Sequence, residues 1–126
     1  MRKKKKKTLQ QWLIPKLRRI SMHWPEMNEA LKLAKVKVPI GTNKNGTVKY
    51  KVKIRCSCCE ELFDGRPNVE IDHIDPVVNI TGFIDWNSYI NTLFCSVENL
   101  RVLCKDCHDD VTYYQEQLRE DFKNNS

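Results

Sequence analysis

Two Cys-x-x-Cys pairs constrain the fold of this 126-residue chain more than any other feature of its sequence. Cys56 and Cys59 form the first pair, and Cys104 and Cys107 form the second pair, with 44 residues between them. A two-residue gap lets a tight turn direct both sulfurs at one ion, and two such turns supply the four thiolates of a structural zinc site. The sequence therefore predicts a zinc ion that ties two distant segments together, with binding worth on the order of 10 kcal/mol of folding free energy.

The chain has six cysteines, an even number that would also suit disulfides in a secreted protein. No apolar signal-peptide core follows the basic N-terminus, so we expect a cytoplasmic protein with reduced thiols. No apolar run approaches the roughly 20 residues of a membrane span. Cys58 and Cys95 are expected to be ordinary thiols; pairing of Cys58 with Cys56 is the alternative, but a one-residue gap fits the turn less well. A redox role for the Cys-x-x-Cys pairs is the weaker interpretation, because two such pairs together fit a zinc site better.

The charge of the chain is divided unevenly along the sequence. Residues 1–55 contain seventeen Lys and Arg against two Asp and Glu, and residues 56–126 contain five against fourteen, so the net charges are +15 and −9. A basic segment can bind a polyanion by releasing its counterions, and carboxylates can hold hard cations. The plainer alternative is that both are solvated surfaces. The lysine-rich tail at 1–7 is expected to be disordered alone, either contacting phosphates or only keeping the protein soluble.

The basic part of the chain is expected to form helices and then a hairpin. Apolar residues recur at helical spacing through residues 9–35, where Pro15 can open a helix and Trp24-Pro25 marks a break. Asn45-Gly46 predicts a hairpin turn within residues 36–55. Its second strand alternates apolar with basic residues, which predicts a half-buried strand with one wholly basic face. The alternating residues are Val48, Tyr50, Val52 and Ile54, against Lys49, Lys51, Lys53 and Arg55.

The acidic part is expected to alternate short strands with helices. Strands are predicted at 69–74 and 99–103, separated by an excursion with a helix over 86–94 that Asp85 caps. A final helix is predicted from about residue 107 to residue 122. Its apolar stripe would consist of Val111, Tyr114, Leu118 and Phe122.

Four polar residues in this part suggest chemistry. Asp72 and His73 end a predicted strand, where both side chains can reach one cleft; Asp72 is a hard oxygen ligand for magnesium or a similar cation, and a neutral His73 can accept a proton from water. His108 follows the last predicted zinc cysteine directly, so zinc would determine where it points; otherwise it is a surface histidine or a spare zinc ligand. The Asn99 amide can clamp a loop through backbone hydrogen bonds.

Three segments carry a resemblance to a known family. Glu-Ile-Asp-His-Ile-Asp-Pro at 70–76, Asn-Leu-Arg-Val-Leu-Cys at 99–104 and Cys-His at 107–108 resemble, in this order, the zinc-knuckle type of HNH endonuclease. The resemblance implies an α+β fold: a ββα-metal core with a four-cysteine zinc site, preceded by N-terminal helices and a basic hairpin. It divides the chain into a tail at 1–7, a basic region at 8–47 packed on the core, and a nuclease domain at 48–126.

The resemblance also implies roles for individual residues. His73 would be the general base that activates water, Asp72 and His108 would hold one divalent cation, and Asn99 would orient the loop that carries His73. Magnesium, manganese and nickel are not separated by the sequence. Many relatives have a lysine soon after the second histidine, but here Asp109 and the residues after it leave that phosphate contact absent or supplied elsewhere.

The function implied is an HNH endonuclease or nickase that hydrolyses DNA phosphodiester bonds. The alternative is a zinc-stabilised nucleic-acid-binding module without chemistry, which would not explain why the four polar residues occur together. The chain is also similar to small HNH proteins of bacteriophages, for which packaging or replication proteins would be partners and the host cytoplasm the location. The residues expected to contact DNA are Lys16, Arg18, Arg19, Lys49, Lys51, Lys53 and Arg55.

Overall fold

Two helices form the first part of the fold, as the sequence predicted. In the computed structural model, which describes residues 5–79 and 81–125, α1 spans Leu9–Ser21 and α2 spans Pro25–Ala34. The Thr8 hydroxyl accepts from the Gln11 N–H and the Gln11 side chain accepts from the Thr8 N–H, which forms a capping box. The prediction that Pro15 opens a helix was wrong, because this box starts α1 six residues earlier. The predicted tail at 1–7 lies partly outside the described residues.

A hairpin follows α2 directly. Strand β1 (Lys35–Thr42) pairs antiparallel with β2 (Val48–Arg55), and a bulge interrupts the register between Pro39 and Gly41. Gly46 adopts a φ of +88° in the turn, a conformation that costs glycine little. The predicted hairpin around Asn45-Gly46 is therefore confirmed. A short strand, β3 (Leu62–Phe63), adds to the far edge of β2.

The burial of β2 differs from the prediction. Ile54 is buried, but Val48, Tyr50 and Val52 are about half exposed, at 48%, 56% and 51%. The Lys and Arg residues of β2 share one face of that strand, as predicted. The cross-strand pair Val38–Lys51 puts an apolar side chain beside a lysine, so the corresponding face of the whole hairpin is mixed. Alternation along a strand shows which residues share a face, but it does not show whether another layer covers that face.

The second part of the chain forms a ββα unit, which confirms the predicted α+β class. Strand β4 (Val69–His73) pairs antiparallel with β5 (Leu100–Cys104), and α4 (Lys105–Asn124) follows β5 without a loop. Helix α3 (Trp86–Leu93) lies in the excursion between the strands, and the Asp85 carboxylate accepts from the Ser88 N–H at 2.7 Å as its cap.

The predicted apolar stripe of α4 is only partly buried. Val111 and Leu118 are half-buried, whereas Tyr114 and Phe122 are exposed, at 64% and 44%. A helix of 20 residues is about 30 Å long, and the five-residue strands beside it span only about 17 Å. The sheet therefore does not extend far enough to cover the last turns of α4.

Helix α2 packs against the ββα unit. Met27 and Ala30 of α2 form a buried cluster with Cys95 and Leu100. The Trp24 indole N–H donates to the Cys95 carbonyl at 2.8 Å, so the chain just before α2 is also joined to the core. There are two further buried clusters: one contains Val69 and Val102, and the other contains Cys56 and Leu103. Among the described residues, no helix has the length and apolar character needed to cross a bilayer.

Candidate active site

The four predicted zinc ligands come together at one point. The sulfurs of Cys56, Cys59, Cys104 and Cys107 all lie within 4.8 Å of one another, and Cys59 Sγ is 3.9 Å from Cys104 Sγ. Four thiolates bound to zinc at about 2.3 Å would be about 3.8 Å apart by tetrahedral geometry. The cluster therefore has the donors and the spacing that fit a zinc ion. Cys58 and Cys95 are not part of it.

Local backbone structure positions these cysteines. Cys56 follows the last residue of β2, and the chain turns back through Glu60, whose φ of +64° lies in the left-handed region. The Ser57 N–H donates to the Val102 carbonyl at 2.8 Å, which joins this turn to β5. Cys104 ends β5 and is also the N-cap of α4, where its sulfur accepts from the Cys107 N–H. The cluster thus connects β2, β5 and the start of α4.

The turns also favour the thiolate form of one ligand. Burial raises the pKa of the Cys56 thiol, but hydrogen bonds from the backbone N–H groups of Cys104, Cys59 and Cys58 outweigh that effect and lower the pKa to about 6. A thiolate is the form that binds a metal. The same backbone that aims the sulfur therefore also stabilises its charge.

Asp72, His73 and His108 line one cleft of about 520 Å³. Asp72 and His73 are the last two residues of β4, and His108 lies in the first turn of α4. The β4–β5 register pairs Cys104, the residue before α4, with Val69 at the start of β4. Helix α4 then packs against β4, which brings His108 into the same cleft as Asp72 and His73. Residues of α1, β4 and α4 all contribute to the lining of the cleft.

The His73 ring is held by one hydrogen bond. Its Nε2 lies 3.0 Å from the Leu93 carbonyl at the end of α3. A carbonyl only accepts, so Nε2 must carry the hydrogen in this bond. In the neutral ring, Nδ1 then has the free lone pair.

The Asp72 carboxylate is engaged by an arginine of the neighbouring strand. Arg101 donates to Asp72 Oδ2 from Nε and from Nη2, both at 3.0 Å. The two residues are directly opposite in the β4–β5 register, which explains the contact. Both bonds use Oδ2, so the ion pair fixes the direction in which the other oxygen points.

Asn99 makes two contacts to the chain just after His73. Its side-chain oxygen accepts from the Asp75 N–H at 3.0 Å, and its backbone carbonyl accepts from the Ile74 N–H at 2.8 Å. These bonds join the residues just after β4 to the residue just before β5. Asn99 is not among the residues that line the cleft, so it acts on the backbone next to His73 and not on the cleft directly.

The cleft contains residues that sequence reasoning missed. Glu70, Arg66 and Arg119 line it beside the predicted residues, and Arg18, predicted only as a DNA contact on α1, lines it too. The Lys105 ammonium donates to Glu70 and lowers the pKa of its carboxyl, as do Arg66 and His108 through their charges.

Two patterns in the sequence indicate two of these residues, Glu70 and Arg119. Glu70 shares a strand face with Asp72 by alternation. The α4 residues that line the cleft recur at helical spacing, as His108, Thr112, Gln115 and Arg119.

The other predicted DNA contacts lie outside the cleft. Lys16 lies 3.7 Å above the Trp12 ring, and Lys51 and Lys53 form ion pairs with Asp64 at 3.1 and 3.7 Å. The hydrogen bond and charge of Lys51 lower the pKa of Asp64. Four of these predicted contacts are exposed, namely Arg19, Lys49, Lys51 and Arg55, whereas Lys16 and Lys53 are partly buried.

Part of the chain that contains this site matches a known protein family. Residues 56–113 match the family described as HNH endonuclease. The matched stretch begins at the first cysteine of the cluster and ends within α4, so it contains the cluster together with Asp72, His73 and His108. Residues 56–113 therefore match an HNH endonuclease domain, in agreement with the resemblance that the three sequence segments carry. No curated protein and no solved structure matched the chain.

Proposed function

We propose that this protein is a DNA endonuclease or nickase that hydrolyses phosphodiester bonds with one divalent cation and a histidine base. The observation that carries the proposal is the convergence of Asp72, His73 and His108 on one cleft of an HNH domain. A binding module would need the basic surface and the cysteine cluster, but it would not need a carboxylate and two imidazoles in one place.

His73 is suited to be the general base. Its Nε2 hydrogen is committed to the Leu93 carbonyl, so Nδ1 is the atom that would take a proton from a water molecule in the cleft. Because the carbonyl belongs to the end of α3, the excursion between β4 and β5 orients the ring. The two Asn99 bonds hold the backbone of the two residues that follow His73.

Asp72 and His108 are the residues that would hold the divalent cation. A carboxylate oxygen and an imidazole nitrogen together suit magnesium, manganese or nickel. Among the described residues, the cysteine cluster is the only group of three or more acidic, histidine or cysteine donors within 4.8 Å, so water and phosphate would complete the cation's coordination. When bound, the cation would supply charge stabilisation at the phosphate and at the leaving oxygen.

The four cysteines would hold a structural zinc ion. All four positions of a tetrahedral site would be filled by protein, which leaves no position for water or substrate. Held there, zinc would fix the start of α4 at Cys104 and Cys107, and with it the position of His108 in the first turn.

The arginines of the cleft are suited to hold the phosphate. Arg18, Arg66 and Arg119 come from three different segments and line the same cleft as His73 and His108. Guanidinium groups bind phosphate oxygens through charge-assisted hydrogen bonds. Arg119 would thereby provide the contact that relatives obtain from a lysine after the second histidine. The exposed Arg19, Lys49 and Arg55 and the partly buried Lys16 would add phosphate contacts along the DNA.

Arg119→Ala is expected to reduce kcat/KM for plasmid cleavage by about tenfold to a hundredfold, since a hydrogen bond to a charged group is worth about 1.5–3 kcal/mol. The variant should retain its zinc and its unfolding temperature to within a few degrees, measured by metal analysis and circular dichroism. Lys123→Ala, one turn later on α4 and outside the cleft, is the matched control. Wild-type cleavage by the Arg119 variant would remove this residue from the phosphate site.

Plasmid cleavage by the purified protein tests the proposed function. Supercoiled DNA should become nicked or linear with added magnesium, manganese or nickel, and the products should carry a 5′ phosphate that a ligase accepts. A protein that binds the plasmid but leaves it uncut with each of the three metals would support the alternative, a nucleic-acid-binding module without chemistry.

A further inference from the structure

The β1–β2 hairpin has properties that the cleft does not explain. Its residues 35–55 include seven Lys and Arg and no Asp or Glu. Every residue from Pro39 to Val52 is exposed, on both faces of both strands. A hairpin in a small domain usually buries one face to be stable. This one buries only its root, where Ile54 is 4% exposed and packs in the core.

The exposed part of the hairpin combines apolar and cationic side chains. Ile40, Val48, Tyr50 and Val52 are each about half exposed, at 51%, 48%, 56% and 51%. Pairing places Val52 opposite Lys37, so cations border the apolar side chains on the same face. Within the part of the chain that the structure describes, five hairpin cations have no ion-pair partner, namely Lys35, Lys37, Lys44, Lys49 and Arg55.

We infer that this hairpin is a two-stranded ribbon that enters the major groove of duplex DNA, an inference that rests on DNA being the substrate. Two strands about 4.8 Å apart, with side chains at both edges, form a ribbon roughly 10–12 Å wide. The major groove is about 12 Å wide and admits such a ribbon, whereas the minor groove is only about 6 Å wide.

The residue types suit the two kinds of contact found in a major groove. The lysines along the strands can reach the phosphates at the groove edges. Tyr50 and Val52 can contact base edges, including the thymine methyl group, which is exposed only in the major groove. Phosphate contacts alone would not require apolar side chains on the ribbon.

The charge of the hairpin argues against a second copy of the chain as its partner. Two hairpins packed together would bring the seven cations of one copy against the seven cations of the other, and these like charges would repel. Duplex DNA instead carries about one negative charge per 1.7 Å of its axis. The ion pairs of Asp64 with Lys51 and Lys53 hold the root of the ribbon to the domain that contains the cleft.

Methylation of a bound duplex by dimethyl sulfate tests the inference, because guanine N7 lies in the major groove and adenine N3 in the minor groove. A duplex of about 20 base pairs is saturated with the full-length His73→Ala protein, which should bind without cutting. One variant replaces residues 39–50 by Asn-Gly, which joins the opposed Val38 and Lys51 by a two-residue turn. A second variant carries Tyr50→Ser and Val52→Ser, and Tyr113→Ser, another exposed tyrosine at 65%, is its matched control.

Guanine N7 reactivity is expected to fall about fivefold with the parent protein and to recover in both hairpin variants, whose Kd should rise about tenfold. The Tyr113 control should protect N7 as the parent does. N7 protection that survives the shortened hairpin, protection confined to adenine N3, or failure of the parent to bind duplex would overturn the inference. A change in oligomeric state by light scattering without a change in N7 protection would show a self-association surface instead.

The inference and the proposed function can fail separately. If plasmid is cut normally but N7 protection does not depend on the hairpin, the nuclease assignment stands and the ribbon does not. If N7 protection depends on the hairpin but no metal supports cleavage, the ribbon stands and the catalytic assignment fails.

Discussion

Replacing His73 with alanine is expected to lower the rate of plasmid cleavage by about a thousandfold, the middle of the range for loss of a general base. The imidazole is half-buried and its ring is fixed by one bond to the Leu93 carbonyl, so alanine removes the proton acceptor without opening the core. Cleavage measured under single-turnover conditions, with metal in excess, would report the chemical step.

Two further measurements make the result specific. Zinc content and DNA affinity of the His73 variant should equal those of the wild type, since neither depends on this ring. His23→Ala is the matched control, because His23 is exposed and is not among the cleft-lining residues. Cleavage by His73→Ala within tenfold of the wild-type rate would eliminate the proposed mechanism.

Cys104→Ala is expected to unfold the HNH domain. It removes one of the four clustered sulfurs, and its position joins the end of β5 to the start of α4. Zinc in a four-cysteine site contributes on the order of 10 kcal/mol, and domains of this size are stable by only about 5–15 kcal/mol. Loss of the metal would therefore leave little or no stability, and cleavage would be lost together with the fold.

The matched control for this variant is another cysteine of the same turn. Cys58 is exposed and lies between two cluster cysteines, but its sulfur is not part of the cluster. Cys58→Ala should keep one zinc ion per chain and the wild-type circular dichroism spectrum. A Cys104→Ala protein that stays folded and still binds one zinc ion would refute the structural role of the cluster.

The two variants separate catalysis from folding. His73→Ala should abolish cleavage in a folded protein that contains zinc, whereas Cys104→Ala should abolish folding itself. If both variants lost the fold, His73 would be a structural residue and the proposed base would have to be sought elsewhere in the cleft.

Features that depend on neighbouring residues were predictable from the sequence. The Cys-x-x-Cys spacing predicted the cluster, Trp24-Pro25 the helix break, Asn45-Gly46 the hairpin turn, and Asp85 the cap of α3. Each of these reflects the local geometry of a few residues, such as a sterically restricted angle or a side chain within reach of a free N–H. Such local geometry can be predicted from the sequence because it depends on no contact with a distant part of the chain.

Burial was predicted less well, for a physical reason. Periodicity correctly grouped Val48, Tyr50 and Val52 on one side of β2 and Tyr114 and Phe122 on one side of α4, but all five are exposed. The hydrophobic period of a strand or helix describes that element alone. Burial also requires a second element that is large enough to cover its apolar face.

The sequence by itself therefore determined the local elements, the cysteine spacing and the residue types available for chemistry. The tertiary structure alone decided which of these residues meet. It brings the Leu93 carbonyl to His73 across 20 residues of chain, Arg101 to Asp72 across 29, and Arg18 and Arg119 into the same cleft. Such contacts depend on how β4, β5 and α4 pack together, and packing is a property of surfaces from distant segments that a linear pattern does not record.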